Sequence, residues 1–450
     1  MSRWLPKIAA ILPWLEPLAL AVAAPLLLFP TTRPRWTAIM LILLVAIYLL
    51  RWIVRREPWP STPFNGALLL LALVIPVAVW ASALPDLTLP KLTGLILGLA
   101  AYRAIALSVH DRRSFLWGVA ALALVGLAIW AVGFLGAGWG TKFAWFGPIL
   151  RRLPRALTVL PSAPNSGINP NQLAGALVLF LPLAAAGVVG WWRERRWGPA
   201  ALTLAGLGLV FGTLALTQSR SGWLGGAAGL LALAMLAGLA SRQRRLQLLA
   251  VALPLALILA VGTFFALRPD VVARFFDVAG GTAGEISFSG RPEIWSRAIY
   301  AIQDFSFTGT GLGTFRRVVN LLYPLFTVSP DTDIAHAHNI FLQVAVDVGL
   351  PGLIAYLALL ELAAVVAWGA ARRSSGAVRG LSLGLFAGLI ALHVYGLTDA
   401  LALGSKPGLV FWMALGLIAA LPRVTEAAAN PVELTKVTEH AAVSLPPALP

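Results

Sequence analysis

Residues 36–54 read WTAIMLILLVAIYLLRWIV, an apolar run that carries one charge, close to its end. A helix of about 20 apolar residues crosses a hydrocarbon core about 30 Å thick. Because no water reaches that core, the backbone must satisfy its own hydrogen bonds, and long runs without alternation are predicted to be helices. Equivalent runs recur along the chain and predict twelve spans, at residues 8–29, 36–54, 66–84, 92–109, 114–135, 172–191, 198–217, 221–240, 247–267, 348–370, 378–399 and 406–421.

The composition supports a membrane protein and excludes other classes. Of the 450 residues, 59% are hydrophobic and 12% are charged, whereas soluble domains are about half apolar and a quarter charged. The net charge of +16 does not indicate nucleic-acid binding, because the basic residues lie between the apolar runs and not on one amphipathic face. The absence of cysteine excludes disulfides and a thiol nucleophile.

The basic residues also predict the orientation, because cytoplasmic connections are enriched in Arg and Lys. We take the first span as uncleaved and the N-terminus as cytoplasmic. Fourteen basic residues then lie in cytoplasmic connections: Arg51, Arg55, Arg56, Arg112, Arg113, Arg193, Arg195, Arg196, Arg242, Arg244, Arg245, Arg372, Arg373 and Arg379. The short opposite connections hold five: Arg33, Arg35, Lys91, Arg220 and Lys406. Both termini are therefore predicted to be cytoplasmic, with the connection 136–171 and the loop 268–337 outside.

The domain organisation predicted from these features is one transmembrane domain, residues 1–421, with a disordered cytoplasmic tail over 422–450. We expect an all-α integral membrane protein of about twelve transmembrane helices with one large extracytoplasmic loop, about 268–337, that carries short helices. Within it Pro292 is expected to open an amphipathic helix. Residues 340–348 fit either a short interfacial helix or the start of the tenth span.

Two arginines on the extracytoplasmic side are candidates for binding a phosphorylated ligand. Arg220 lies in the turn TQSRSGW, residues 217–223, and Arg291 lies in SGRPEIW, residues 289–295. A planar guanidinium can form bidentate contacts with a diphosphate. The structural alternatives are an arginine that snorkels to the membrane surface at 220 and a solvated helix start at 291.

Two of the five histidines lie in AHAHN, residues 335–339, where the loop returns to the membrane. A general base or an orienting hydrogen-bond donor fits His336 or His338. We predict no metal site, because histidines two apart on a helix diverge and no further ligand is evident. Gly309 to Gly313 is typical of a phosphate-binding loop but lacks a preceding strand, so it is predicted to be a turn.

Together these motifs resemble, in order, the conserved region of the O-antigen ligase and O-antigen polymerase family of membrane glycosyltransferases with the C-type fold. The resemblance rests on Gln218 to Gly222, Gly290 to Trp295, Gly309 to Phe315, His336 to Asn339, Phe341 to Gln343 and Gly349 to Gly352. No family motif matches the basic residues Arg151, Arg152 and Arg155.

The resemblance implies transfer of a glycan from a polyprenyl-diphosphate donor to an acceptor hydroxyl, at the outer face of the bacterial inner membrane. It implies a metal-independent, inverting enzyme without a cofactor. Arg220 and Arg291 then bind the diphosphate and His338 is the base, with supporting roles for His336, Asn339, Gln218, Ser219 and Glu293. Besides membrane lipids, the partners implied are the lipid-linked donor and the acceptor.

Several functions stay open at this point. Ligation to lipid A core is favoured slightly, while polymerisation of the polysaccharide or transfer to a protein fits the same motifs. A transporter or flippase of polyprenyl-linked glycans is an alternative of another class, and it would place ionisable groups within the bilayer. The ionisable residues that could line a transport path do not form an obvious pathway across the membrane. They are Glu16, Arg103, Glu361, His393 and Asp399.

Overall fold

The computed structural model describes residues 5–57, 59–153, 167–271, 290–329 and 332–429. Within these ranges the regular structure is helical, apart from a single bridge that pairs Ala137 with Ile168. The helices are α1 (Leu5–Leu28), α2 (Pro34–Arg55), α3 (Asn65–Ala81), α4 (Pro85–Ser108), α5 (Arg112–Gly136), α6 (Gly147–Leu150), α7 (Pro170–Leu177), α8 (Phe180–Arg193), α9 (Trp197–Thr217), α10 (Arg220–Leu239), α11 (Arg244–Leu267), α12 (Arg291–Asp304), α13 (Phe315–Leu322), α14 (Ile340–Arg373), α15 (Gly376–Gly396) and α16 (Leu409–Ala429).

The helices agree with the spans predicted from hydropathy. In the described part of the chain, ten helical segments are long and apolar enough to cross a membrane, with α7 and α8 forming one of them. The predicted spans at 8–29 and 66–84 correspond to two shorter apolar helices, Leu15–Leu28 within α1 and Asn65–Ala81. The prediction of an all-α, multi-pass membrane protein is confirmed.

The bundle has a central helix and a peripheral one. In α16 83% of the most apolar stretch of the helix is buried, and Trp412 is fully buried against α4. In α11 only 6% of the corresponding stretch is buried. Glycines allow the inner helices to approach closely, and α10 carries Gly222, Gly225, Gly226 and Gly229 at a spacing that suits such packing. A Cβ on Gly225 would lie 2.6 Å from the carbonyl oxygen of Ala391, so α10 packs directly against the backbone of α15.

The tenth span is preceded by a separate short helix. Within α14 the backbone leaves helical geometry at Val348 (φ −135°, ψ 15°) and Gly349 (φ 73°, ψ 178°). The interruption exposes backbone groups that the loop then satisfies: the Leu350 N–H donates to the Ser306 carbonyl (2.7 Å) and the Thr310 N–H to the Val346 carbonyl (2.7 Å). Residues 340–347 therefore form a half-helix that is docked on the loop and joined to the span by a kink.

The loop has its own small core. Among its described residues, the helices α12 and α13 pack through the buried residues Ile294, Ala298, Phe315, Val319, Ile334 and Ala337. The helix predicted to open at Pro292 is confirmed, because Pro292 lies in the first turn of α12. Residues 272–289 and 330–331 of the loop lie outside the described residues.

The start of the tail is predicted too early at residue 422. The last helix continues to Ala429, and it does so because Val424 and Thr425 are buried against the bundle while the Arg423 guanidinium donates to the Ala106 carbonyl. Packing therefore extends the helix beyond the apolar run. The remainder of the predicted tail, 430–450, lies outside the described residues.

Candidate active site

The histidine segment, residues 335–339, places two imidazoles beside one buried carboxylate. His336 Nε2 lies 3.3 Å from Asp399 Oδ1, and His338 Nδ1 lies 3.8 Å from the same oxygen. The two ring centroids are 4.3 Å apart, and Asp399 is 3% exposed. The three side chains form one cluster where the loop meets the turn that follows α15.

The backbone of this segment explains why the two histidines converge. His338 has a left-handed conformation (φ 49°), so the segment is not helical and the divergence expected for histidines two apart on a helix does not apply. The His338 N–H donates to His336 Nδ1 (3.2 Å), and its carbonyl accepts from the Trp295 indole (3.1 Å). Asn339 caps α14 by accepting from the Phe341 and Leu342 N–H groups. The expectation that a third acidic or histidine group is lacking is wrong, since Asp399 supplies it.

The electrostatics favour neutral imidazoles. Burial lowers the pKa of His338 well below its ordinary value, and the neighbouring His336 and the Arg291 charge lower it further. Burial also lowers the pKa of His336, against the opposing attraction of Asp399. His338 Nδ1 makes no hydrogen bond within the part of the chain that the structure describes. A neutral imidazole with an unprotonated ring nitrogen is suited to accept a proton at neutral pH.

Arg291 lies beside the histidines, at the start of α12. Its side chain is 8% exposed, and its charge acts on both imidazoles. Trp295, one turn later on the same helix face, donates to the His338 carbonyl. One helix therefore carries the arginine and fixes the histidine segment to it.

Arg220 is the first residue of α10, at the same end of the bundle. Ser219 caps this helix by accepting from the Gly222 N–H (3.2 Å). The Ser221 and Thr398 hydroxyls are 2.7 Å apart, which brings the start of α10 against the residue that precedes Asp399. The Asn339 amide donates to the Leu397 carbonyl (3.1 Å), so the histidine segment meets the same turn.

Two of the proposed supporting residues have well-defined structural partners. The Gln218 side-chain oxygen accepts from the Lys142 and Phe143 N–H groups (2.9 and 2.8 Å), and its amide donates to the Gly140 carbonyl. Gln218 thereby fixes the connection that follows α5 to the turn at Arg220.

Glu293 fixes the chain after α13 to α12, because its carboxylate accepts hydrogen bonds from the Phe326, Thr327 and Val328 N–H groups. Burial alone would raise the pKa of Glu293, but hydrogen bonds from the Thr327 hydroxyl and these amides lower it to about 2.

Asp399 was not predicted as a site residue; the sequence offered it only as an ionisable group among the candidates for a transport path. The signal available was its position, on the same side of the bundle as the histidines. Arg151 and Arg152 are exposed after α6, and Arg155 lies outside the described residues. Asn171, at the start of α7, accepts from Lys142 Nζ (3.3 Å) through its side chain and from the Tyr395 hydroxyl (3.0 Å) through its carbonyl.

The cluster also has the composition of a metal site. Among the described residues, His336, His338 and Asp399 could each offer one ligand atom, and these atoms lie within 4.8 Å of one another. The same three groups equally fit a metal-free base held by a carboxylate. The absence of a metal from the reaction stays a prediction.

Comparison with known proteins agrees with the motifs. Residues 205–357 match the family model described as O-antigen ligase. This part of the chain is therefore similar to the O-antigen ligase family. An O-antigen ligase of Pseudomonas aeruginosa is 33% identical over 264 residues, which make up 56% of this chain and 58% of that protein. The matched domain includes Arg220, Arg291 and both histidines, while Asp399 lies beyond it. The resemblance to the O-antigen ligase family is confirmed, and the chain matches somewhat more than half of the relative's length.

Proposed function

We propose that this protein is a membrane glycosyltransferase that transfers a glycan from a polyprenyl-diphosphate donor to an acceptor hydroxyl, with the lipid A core as the acceptor we favour. The observation that carries the proposal is the cluster of His336, His338 and Asp399 beside Arg291, at the end of the bundle where Arg220 begins α10. The similarity to an O-antigen ligase supports the choice of lipid A core.

In the proposed reaction the acceptor oxygen attacks the anomeric carbon and His338 takes its proton. The bond from that carbon to the diphosphate oxygen breaks, and the diphosphate leaves with the electron pair. Arg220 and Arg291 stabilise the negative charge that develops on it, as fixed cations do in other phosphate-transfer sites. Attack from the face opposite the leaving group inverts the anomeric centre.

Asp399 gives the two histidines different roles in this proposal. His336 is the nearer to the carboxylate, at 3.3 Å, and is held by it. His338 keeps Nδ1 without a hydrogen bond in the described structure, and the carboxylate lies 3.8 Å away, close enough to stabilise the imidazolium formed on proton transfer. His338 is therefore the base and His336 a positioning residue.

Purified protein tests the proposal directly. A polyprenyl-diphosphate glycan is offered with three acceptors in parallel: lipid A core, a growing polysaccharide and a peptide, each with and without a chelator. We expect a new glycosidic bond to the lipid A core and the same rate with the chelator present. Transfer only to another acceptor would replace the ligase assignment. Loss with chelator and recovery with a divalent cation would make the histidine cluster a metal site.

The transport alternative has less support. Glu16 pairs with Arg103 and with Arg51 (3.1 Å), and His393 Nε2 lies 2.8 Å from the Tyr356 hydroxyl. These polar groups are thus engaged with neighbouring helices. Movement of the donor across liposomes without a new glycosidic bond would favour the transporter.

The location we propose is the bacterial inner membrane, with both termini in the cytoplasm and the site outside. The chain has no cysteine, so a single cysteine can be introduced into an otherwise native sequence. Asn320→Cys in the loop and Ser375→Cys between α14 and α15 are both exposed positions. An impermeant thiol reagent on intact spheroplasts should label the first and not the second, and the reverse pattern would invert the topology.

A further inference from the structure

A chain of buried hydrogen bonds runs from the histidine segment into the half-helix that begins α14. The Ala337 N–H donates to Gln343 Oε1 (2.7 Å), and Gln343 Nε2 donates to Asp347 Oδ1 (2.8 Å). Gln343 and Asp347 are each 1% exposed. Ala337 lies between His336 and His338, so a hydrogen bond to its amide constrains the backbone that carries both imidazoles.

The same carboxylate also holds the glycine loop, residues 309–313. The Gly313 N–H donates to Asp347 Oδ1 (2.8 Å), the same oxygen that receives the Gln343 amide. Gly313 has φ 73°, and a Cβ on Gly309 would lie 2.7 Å from backbone atoms of Asp347 and Gly349. The segment that the sequence predicts to be a turn therefore lies directly on the kink of α14.

Lys91 of α4 completes this surrounding. A Cβ on Gly313 would lie 3.0 Å from Lys91 Cγ, and the Lys91 ammonium attracts the Asp347 carboxylate. A buried carboxylate needs such a partner and a full set of donors. Three separate segments, the glycine loop, α4 and the half-helix, thus meet at Asp347.

From these contacts we propose that Gln343 and Asp347 are positioning residues, which set the reactive geometry of His336 and His338 through the Ala337 N–H. The inference rests on the proposed transfer reaction. His338 has a left-handed backbone, which is unfavourable for a side chain with a Cβ and persists only where the surroundings impose it. The Gln343 side chain and the Trp295 indole, which binds the His338 carbonyl, supply that constraint from two sides.

The test replaces Gln343 with methionine, which has a similar length and neither polar group. We expect kcat to fall by about 100-fold, with KM for donor and acceptor unchanged, because displacement of a reacting group by about 1 Å costs that much. Ser382→Ala is the matched control, since it also removes one buried hydrogen bond, to Val378 in α15, away from the histidine segment. Full specific activity per folded molecule in Gln343→Met would overturn the proposal.

A conservative variant separates positioning from general stability. In Gln343→Glu a protonated carboxyl can accept from Ala337 and donate to Asp347, whereas the ionised form can only accept. Within the described structure, the charged or titratable groups at the partners of position 343 and beside them include Asp347, Lys91, Arg316, His336, His338 and Arg291. We expect the activity of this variant relative to wild type to rise as the pH is lowered. Equal ratios at all pH values would contradict the proposal.

Hydrogen exchange on the full-length protein gives a readout that does not depend on glycan transfer. The amide of Ala337 should exchange slowly in wild type and in Ser382→Ala, and faster in Gln343→Met. An unchanged rate in Gln343→Met would show that Gln343 does not hold the segment. If wild type forms no glycosidic bond with any acceptor, the proposed function fails, while the exchange rates still support or overturn the link from Gln343 to the histidines.

Discussion

Asp399→Asn is the substitution that best tests how the histidine cluster works. The carboxylate oxygen lies 3.8 Å from His338 Nδ1, and the side chains are 4% and 14% exposed. Two unit charges at about 4 Å interact by about 4 kcal/mol at an effective dielectric constant of about 20. The imidazolium that forms when His338 takes the acceptor's proton gains this attraction in the transition state, and asparagine removes it while keeping an oxygen that can accept a hydrogen bond.

We therefore expect kcat of Asp399→Asn to fall by about 100- to 1,000-fold, since each 1.4 kcal/mol or so is a factor of about ten in rate. The KM for the donor should be unchanged, because the arginines are intact. The assay is steady-state transfer by purified protein with a measured folded fraction. Asp333→Asn is the control: this loop carboxylate is 58% exposed and pairs with Arg316, so its loss should leave the rate unchanged. Wild-type kcat in Asp399→Asn would refute the reasoning.

Three further predictions follow from the same contacts. Arg291→Lys keeps the charge but loses the bidentate fork, so its affinity for the donor should fall by about tenfold in a binding titration. In Arg291→Ala the affinity should fall by about 100-fold, because a hydrogen bond to a charged group contributes about 1.5 to 3 kcal/mol. Equal affinity in wild type and both variants would contradict the diphosphate role. Gly225→Ala should lower the free energy of unfolding by about 1 to 3 kcal/mol in thermal or denaturant unfolding, because the added Cβ would meet the Ala391 carbonyl. Gly208→Ala, with open space around it, should leave the free energy of unfolding unchanged. Equal stabilities of the two variants would mean that α10 and α15 do not pack as described. The pKa of both histidines is lowered, so the imidazoles stay neutral at pH values below the ordinary pKa of histidine. The acid limb of the pH profile of kcat/KM should therefore have its midpoint below about pH 6.5. A midpoint above about pH 7 would exclude a lowered pKa.

The membrane fold was predictable because hydropathy acts over whole segments. A run such as 36–54 is apolar along its entire length, and its helical state follows from the solvent alone. The helix opened by Pro292 was predictable for a local reason, since proline at the start of a helix and a periodic apolar pattern both fall within a few residues. The motif at His336 to Asn339 could be found as well, although not its geometry.

The parts that escaped prediction depend on contacts between distant segments. Asp399 joins the histidines only because Thr398 meets Ser221 and Leu397 meets Asn339, and neither contact has a signal in the sequence. The backbone at His338 is left-handed, so the two histidines converge, whereas helical spacing predicted that they would diverge. The extension of α16 beyond residue 422 likewise depends on the burial of Val424 against other helices.

The central claim is that this chain makes a glycosidic bond with His338 as the base. The most direct measurement compares wild type and His338→Ala in single-turnover transfer from a polyprenyl-diphosphate glycan, with equal amounts of folded protein and saturating acceptor. We expect product from wild type and a rate lower by at least about 100-fold in the variant, the usual contribution of a general base. A variant that transfers glycan at the wild-type rate would contradict it.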